Sequence, residues 1–295
     1  MEILTVENLS KNYGNIKALK NVSFSVPSGT VFGILGPNGS GKTTLLGIIM
    51  DVLKASGGGY KIFGEEPINN QRKQMGTLLE TPNFYHYLTA VQNLKIAAAI
   101  KGRGVEDIDR VLEIVNLANR KNSRFNTYSL GMKQRLAIGA ALLGNPDVLV
   151  FDEPTNGLDP VGIAEIRELI KKLSQQGKTI IMASHLLDEV EKVCTHVAIL
   201  KQGTLITHGD VNEILVNEDM VEVSAGNLEQ LKNALMQMPG INKVDHVDQV
   251  VRVFFPSGTA DLGAINKFCF NNGIVLSHLQ LKKKSLESKF FELTN

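Results

Sequence analysis

The chain is poor in cysteine, carries almost no net charge and has no long apolar run. Cys194 and Cys269 are the only cysteines among 295 residues. Two are too few for a disulfide framework or a cysteine-rich metal site, so buried thiols in a reducing compartment are expected. Formal net charge is +1, which implies no broad attraction to nucleic acid or to anionic lipid. Any site for phosphates must therefore be built locally. The longest apolar stretches, such as Leu136–Leu143, fall far short of the roughly 20 residues that cross a bilayer. Met1–Glu7 alternates apolar and polar like a strand and lacks the basic and apolar regions of a signal peptide. Repeats and low-complexity tracts are also absent. These absences predict a soluble chain with no direct membrane insertion and no nucleic acid partner.

What is present has the composition of a folded protein, 43% hydrophobic and 21% charged. Alternating segments at Ile3–Glu7, Ala18–Val26 and Tyr60–Ile62 predict antiparallel strands with one wet face. Val31–Leu35, Val148–Phe151 and Thr179–Ala183 are continuous apolar runs, as parallel strands buried on both faces require. A mostly helical stretch lies between the first two, from about Thr89 to Leu143. Near residue 215 the character changes. Strands are expected at Met220–Val223, Ile241–Val247, Gln249–Phe255 and Gly273–Leu281, with helices at Leu228–Met236 and Leu262–Phe270. That β-α-β-β-α-β order predicts a ferredoxin-like second domain, closed by a short helix at Leu286–Leu293.

Two motifs carry chemistry by their context. Gly36-Pro37-Asn38-Gly39-Ser40-Gly41-Lys42-Thr43 follows a buried strand, and Thr44 opens a helical run to Leu53. Strand, glycine loop and helix is the setting of a phosphate-binding loop. Glycines let backbone N–H groups wrap a polyphosphate, and the helix N-terminus adds a positive dipole end. Lys42 would hold the β- and γ-phosphates, and the Thr43 hydroxyl would bind Mg²⁺. The alternative, a glycine turn that happens to contain a lysine, matches the bare pattern about once in a hundred chains of this length. Downstream, Val148–Phe151 runs straight into Asp152-Glu153, at the strand end where open α/β sheets bind ligands. Asp152 fits the carboxylate that completes the Mg²⁺ shell, and Glu153 fits a group that polarises a water for attack on the γ-phosphate. Taken alone, the pair would be read as a loop dipeptide capping a helix; the upstream loop favours catalysis.

Tyr128-Ser129-Leu130-Gly131-Met132-Lys133-Gln134-Arg135 before that pair, and Pro154-Thr155-Asn156-Gly157-Leu158-Asp159-Pro160 after it, closely resemble the signature and D-loop of ABC transporter ATPases. The resemblance covers roughly Met1 to Ile214 with every motif in order. It implies an α/β P-loop NTPase of ABC type over 1–215, with a mixed sheet core, an antiparallel β subdomain and a helical subdomain at about 82–145, followed by a small α+β domain at 216–295. It implies ATP and Mg²⁺ as ligands, ATP hydrolysis as the activity, and a separate integral membrane permease as the partner. A cytoplasmic location, peripheral on the inner face of the membrane through that permease, goes with it.

In this family the serine-led helix of one subunit covers the γ-phosphate held by the other, so one loop and one signature imply two chains. Ser129 and Gly131 would complete the partner's site, and Asp159 would lie at the seam. Leu130 and Met132 depart from the commonest signature, which has glycine and glutamine there. A homodimer is the favoured reading, and a heterodimer with a related subunit is the alternative. Tyr13 matches the aromatic residue that stacks on adenine, and His185 the switch histidine that contacts the γ-phosphate. Glu80 stands where most of the family has glutamine, near Mg²⁺ and the attacking water. With the Thr81–Thr89 segment that follows, it resembles the branch of bacitracin-resistance and lantibiotic-immunity export ATPases. A carboxylate there still offers oxygen to Mg²⁺ but no N–H donor. Phe84, Tyr85 and Tyr87 cluster in a loop and could pack within the helical region, and the resemblance implies that this region also lines the groove that receives a short helix of the permease. Lys282-Lys283-Lys284 is read as a solvated face.

Two other classes fit less well. Chromosome-type members separate the phosphate loop from the signature by a long coiled coil, absent between Thr43 and Ser129, and translation-type members carry two cassettes. A catalytically silent cassette is at odds with the retained Lys42, Asp152, Glu153 and His185.

Overall fold

The computed structural model describes residues 1–79, 82–215, 219–256, 258–282 and 290. Two compact units divide between Gly209 and Asp210, a few residues before the compositional change near 215.

In the first unit, β1 (Glu2–Tyr13) and β2 (Ile16–Pro27) form a long hairpin. Then β3 (Val31–Leu35) leads through the glycine loop into α1 (Lys42–Ile49), and β4 (Gly57–Ile62) returns to pair with β1. The order β2–β1–β4 is an antiparallel layer, longer at both strands of the hairpin than the alternating pattern implies. α1 was expected to reach Leu53 but stops at Ile49. Asp51 takes a left-handed φ of 63°, and the N–H groups of Val52 and Leu53 fold back onto the Gly47 carbonyl.

Next come α2 (Asn69–Lys73), β5 (Met75–Leu78), α3 (Ala90–Lys101), α4 (Ile108–Ile114) and α5 (Leu130–Leu142). Thr89 begins α3 with a capping box: its side chain accepts from the Gln92 N–H while Gln92 Oε1 accepts from the Thr89 N–H. The remaining elements are β6 (Val148–Asp152), α6 (Pro160–Gln175), β7 (Thr179–Ser184), α7 (Leu187–Glu191), β8 (His196–Lys201) and β9 (Thr204–Asp210). The main sheet runs β5–β6–β7–β3–β8–β9. Its four neighbouring pairs from β5 to β8 are parallel, and every residue of β3, β6 and β7 is buried, as their unbroken apolar runs demand. Leu45, Leu46, Ile48 and Ile49 of α1 are at most 1% exposed and pack on Ile34, Val150, Ile181 and Ala183. Each such side chain contributes about 1.5–3 kcal/mol by leaving water.

Register fixes where the strands end. Leu35 lies opposite Ser184, and Asp152 opposite Ala183. The glycine loop, the acidic pair and His185 therefore leave the sheet at one edge. Leu78 pairs with Phe151, so β5 also ends at this edge, although Glu80 itself lies outside the described residues.

The second unit opens with α8 (Val211–Leu215), then β10 (Asp219–Ala225), α9 (Leu228–Leu235), β11 (Lys243–Val247), β12 (Val250–Phe255), α10 (Leu262–Asn271) and β13 (Leu276–Lys282). The strand order is β11–β12–β10–β13, and every neighbouring pair is antiparallel. This is a split β-α-β arrangement. Val221, Val223, Val251 and Val253 bury one face against Leu231, Leu235, Ile265 and Cys269. Asn227 and Asp261 cap the two longer helices. The last strand begins at Leu276 rather than Gly273, which takes a left-handed turn instead. Both cysteines are buried free thiols, and burial pushes each thiol pKa up. The Leu286–Leu293 helix, like Lys283 and Lys284, falls on positions outside the described residues except at Phe290.

Candidate active site

At the shared strand edge the glycine loop wraps a cavity of about 320 Å³ lined by Ala18, Asn38, Gly39, Gly41, Lys42, Thr43, Thr44 and Glu153. Glycine is required sterically at two loop positions. Gly41 has φ 104°, and a Cβ there would stand 2.6 Å from the Ala18 carbonyl oxygen. At Gly36 it would stand 2.3 Å from the Leu200 carbonyl and 2.4 Å from Ser40 Oγ. Pro37, Asn38 and Gly39 are exposed at the rim, and Ser40 is buried beneath. The loop ends where α1 begins, so the first-turn N–H groups face an environment suited to anions.

Lys42 is 5% exposed, and its ammonium donates to the carbonyls of Gly36 (2.8 Å) and Pro37 (3.3 Å). It also stands 3.4 Å from Glu153 Oε1. Glu153 Oε2 lies 2.8 Å from His185 Nδ1, and the His185 backbone N–H points to the same oxygen at 3.4 Å. An ionised carboxylate only accepts, so Nδ1 carries the hydrogen and Nε2 is left for another partner. Glu153 holds φ 49°, a left-handed conformation that costs a non-glycine residue about 1–2 kcal/mol. Its N–H donates to Ala183 O and its C=O accepts from Asn156, so backbone and side chain together hold the strained residue in place. Asp152, buried at 3%, ends β6 immediately before it.

The signature residues stand elsewhere on the chain. Ser129 caps α5 by accepting from the Met132 N–H at 3.2 Å, and Asp159 caps α6 by accepting from the Gly162 N–H at 2.9 Å. Gly131 sits beside Gly162, and Leu130 lies over Gly157, so signature and D-loop share one surface. Neither Ser129 nor Gly131 lines the cavity of its own glycine loop. Tyr13 is 44% exposed at the tip of the β1–β2 hairpin, with the Lys11 ammonium 4.9 Å from its ring centre. Phe84 packs edge-on against buried Phe125, while Tyr85 and Tyr87 are exposed and touch each other. Packing within the helical region therefore holds for Phe84 and not for Tyr85 or Tyr87, while Phe84 and Tyr85 also line a groove with Ile96 and Ile100.

Two parts of the site escape sequence reasoning. Ala18 lines the cavity from β2, and its carbonyl packs against Gly41, a backbone contact that leaves no sequence signal. The β8–β9 turn meets the loop through the Gly203 N–H, which donates to Ser40 O at 3.0 Å.

A loop, an acidic strand end and a histidine gathered at one sheet edge define a P-loop nucleotide hydrolase, and comparison with known proteins narrows the class. The family profile described as ABC transporter matches residues 19–156. The bacitracin transport ATP-binding protein BcrA of Bacillus licheniformis is 36% identical over 298 aligned positions, covering 99% of this chain and 97% of BcrA. The lantibiotic transport ATP-binding protein SrtF of Streptococcus pyogenes is 37% identical, covering 69% of this chain and 89% of SrtF. Among solved structures, the dimeric post-hydrolysis cassette MJ0796 bound to ADP and Pi superposes with a TM-score of 0.63 at 28% identity, covering 70% of this chain and 98% of that one. The chain belongs to the ATP-binding subunits of ABC transporters. It is an ATP-hydrolysing cassette, and its subfamily resemblance is to the bacitracin and lantibiotic transport ATPases.

Proposed function

We propose that two copies of this chain close around two ATP molecules, each held between the glycine loop of one copy and Ser129 and Gly131 of the other, and so drive a separate permease. The observation that carries the reading is the clasp of Lys42 and His185 on Glu153 at the rim of the glycine-loop cavity. Backbone N–H groups from Gly36 to Thr44, with the Lys42 ammonium, bind the phosphate chain. Tyr13 stacks on the adenine from the hairpin tip, its exposed ring leaving it open to do so. Glu153 accepts a proton from the attacking water as the γ-phosphate is transferred to it and ADP leaves. His185 orients that carboxylate through Nδ1, which leaves Nε2 to contact the γ-phosphate.

The donor set also suits Mg²⁺. Thr43 offers a hydroxyl and Asp152 a carboxylate, with no convergence of three or more acidic, histidine or cysteine side chains among the described residues. An ion that takes one or two carboxylates, waters and substrate phosphates fits such a site, and it would neutralise charge on the phosphate oxygens. Glu80, two residues after the end of β5 in the sequence, is proposed as a further oxygen ligand.

The helical part offers the permease a seat. Asn83, Phe84, Tyr85, Asn93, Ile96, Ala97 and Ile100 line a groove of about 340 Å³, with Ile100 82% exposed. An exposed apolar groove of this kind suits a short helix from a partner. Among the described residues no helix is long and apolar enough to cross a membrane. The cargo is a peptide antibiotic or another toxic compound and the direction is export, a reading supported by similarity to the bacitracin transport protein BcrA and the lantibiotic transport protein SrtF.

Glu153→Gln tests the central assignment. It should retain ATP binding, lower turnover by about 10²–10⁴-fold, as loss of a general base does, and accumulate an ATP-bound dimer on size-exclusion chromatography. Normal turnover in this variant, or a strictly monomeric protein that still hydrolyses ATP, would end the proposal.

A further inference from the structure

Gly203 lies outside every motif named above, yet its peptide groups tie together the two segments that shape the phosphate cavity. Its N–H donates to Ser40 O at 3.0 Å, and its C=O accepts from the Lys20 N–H at 2.8 Å. One residue of the β8–β9 turn thus joins the glycine loop to β2, the strand that contributes Ala18 to the cavity wall.

From this bridge we infer that Gly203 is a positioning residue for phosphate binding: by holding the Ser40 carbonyl, it orients the Gly41 N–H toward the ligand. The inference rests on the glycine loop binding the phosphates of ATP. The carbonyl and N–H of a trans peptide point in opposite directions. No peptide bond among the described residues is cis, so a Ser40 carbonyl turned to Gly203 turns the Gly41 N–H the other way. Gly41 lines the cavity, and its own position is wedged against Ala18 and Leu19. The loop is therefore fixed from two sides, by contact with β2 and by a hydrogen bond from the turn.

The bridge requires glycine at 203 for two reasons. Its φ is 79°, in the left-handed region, and Gln202 before it has φ 49°, so both central turn residues adopt positive φ. A Cβ on Gly203 would also stand 2.6 Å from Ala18 O and 2.9 Å from Ala18 C. Both are backbone atoms and cannot swing aside, so any side chain pushes the turn off β2 and releases the Ser40 carbonyl. Ala18 O is the same atom that a side chain at Gly41 would strike, which places all three segments at one packed junction.

The test uses the full chain, with Mg-ATP and inorganic tripolyphosphate as separate titrants. Gly203→Ala introduces both clash and strain, whereas Gly203→Asn, better tolerated at positive φ, keeps the clash and relieves the strain. Gly177→Ala is the control: its φ is 85°, but no atom lies within 4 Å of a Cβ there, and it precedes β7 at the opposite edge of the sheet. Both Gly203 variants should bind both titrants at least about tenfold more weakly, the value of one hydrogen bond to a charged group. Gly177→Ala should stay within about twofold of the wild type even if its Tm falls as far. Amide hydrogen exchange on the wild type avoids any variant that fails to fold: tripolyphosphate should raise protection at Gly203 together with Gly41, and not at Gly177. Gly203 variants with unchanged affinity, an equal loss in Gly177→Ala, or unaltered protection at Gly203 would each overturn the inference. A wild type that binds neither titrant would instead sink the nucleotide-site reading itself.

Discussion

Lys42 shows how much one side chain does at this site. Its buried ammonium satisfies two loop carbonyls and lies against Glu153, so it braces the cradle and helps hold the Glu153 carboxylate in place. Removing one partner of such an arrangement leaves the other desolvated and unpaired, which costs more than the pair itself contributes. Lys42→Ala should therefore lose Mg-ATP affinity by at least about tenfold and release Glu153 from one of its two holders. Equilibrium nucleotide titration checks the first effect. Unimpaired binding and turnover would show that the loop does not work through its lysine.

Elements show where local pattern was enough and where it was not. The parallel strands β3, β6 and β7 were legible because burial on both faces forces unbroken apolar runs, and the chemistry follows each run at its end. Lys42 was named from the glycine-loop motif, Asp152 and Glu153 from the end of a buried run, and His185 from resemblance together with its place after one; the structure brings the four to one sheet edge. β5 was missed because Gly76 and Thr77 interrupt its pattern. Gly76 is there because a Cβ would strike the Ala141 carbonyl at 2.3 Å, a tertiary contact with α5 that sequence does not display. β8 and β9 passed unread too, and with them the Gly203 bridge, whose interactions are all backbone.

The same end of α5 carries a second buried tie. Lys101 of α3 donates to Ala140 O at 2.7 Å and Ala141 O at 3.0 Å, capping the last carbonyls of α5 from a neighbouring helix. Burial, with the nearby Arg103 charge adding to it, pulls the Lys101 pKa down to about 8 from 10.5. Below about pH 8 the lysine is charged in both folded and unfolded states, and the folded state bears the full burial penalty. Between about 8 and 10.5 the folded protein has released the proton while the unfolded chain keeps it, so stability rises with pH in that window. A neutral amine still has the two N–H groups needed for both carbonyls. The Tm of the wild type relative to Lys101→Met should therefore increase from pH 8 to pH 10, measured by thermal unfolding of both proteins in parallel. A constant or shrinking difference would contradict the burial-driven shift.

At the scale of the whole molecule, two hydrophobic cores share no residue, one built around α1 and the main sheet and the other around β10 and β12. Every residue of the proposed nucleotide site, from Tyr13 to Gly203, belongs to the first unit. The second unit supplies no convergent metal-ligating set among its described residues, yet the match to BcrA runs through 99% of the chain and so includes it. A part common to both proteins but outside the chemistry is suited to acting on the assembly rather than on the nucleotide. A chain ending at Asp210 keeps β9, and with it the strand that closes the edge of the main sheet beyond β8. It should fold on its own core, as compact domains generally can, and bind Mg-ATP within about threefold of the full chain. Transport by the permease complex should fall while ATP binding stays. If the shortened chain aggregates or loses nucleotide, the first unit depends on the second for its structure, and the two cannot be assigned separate tasks.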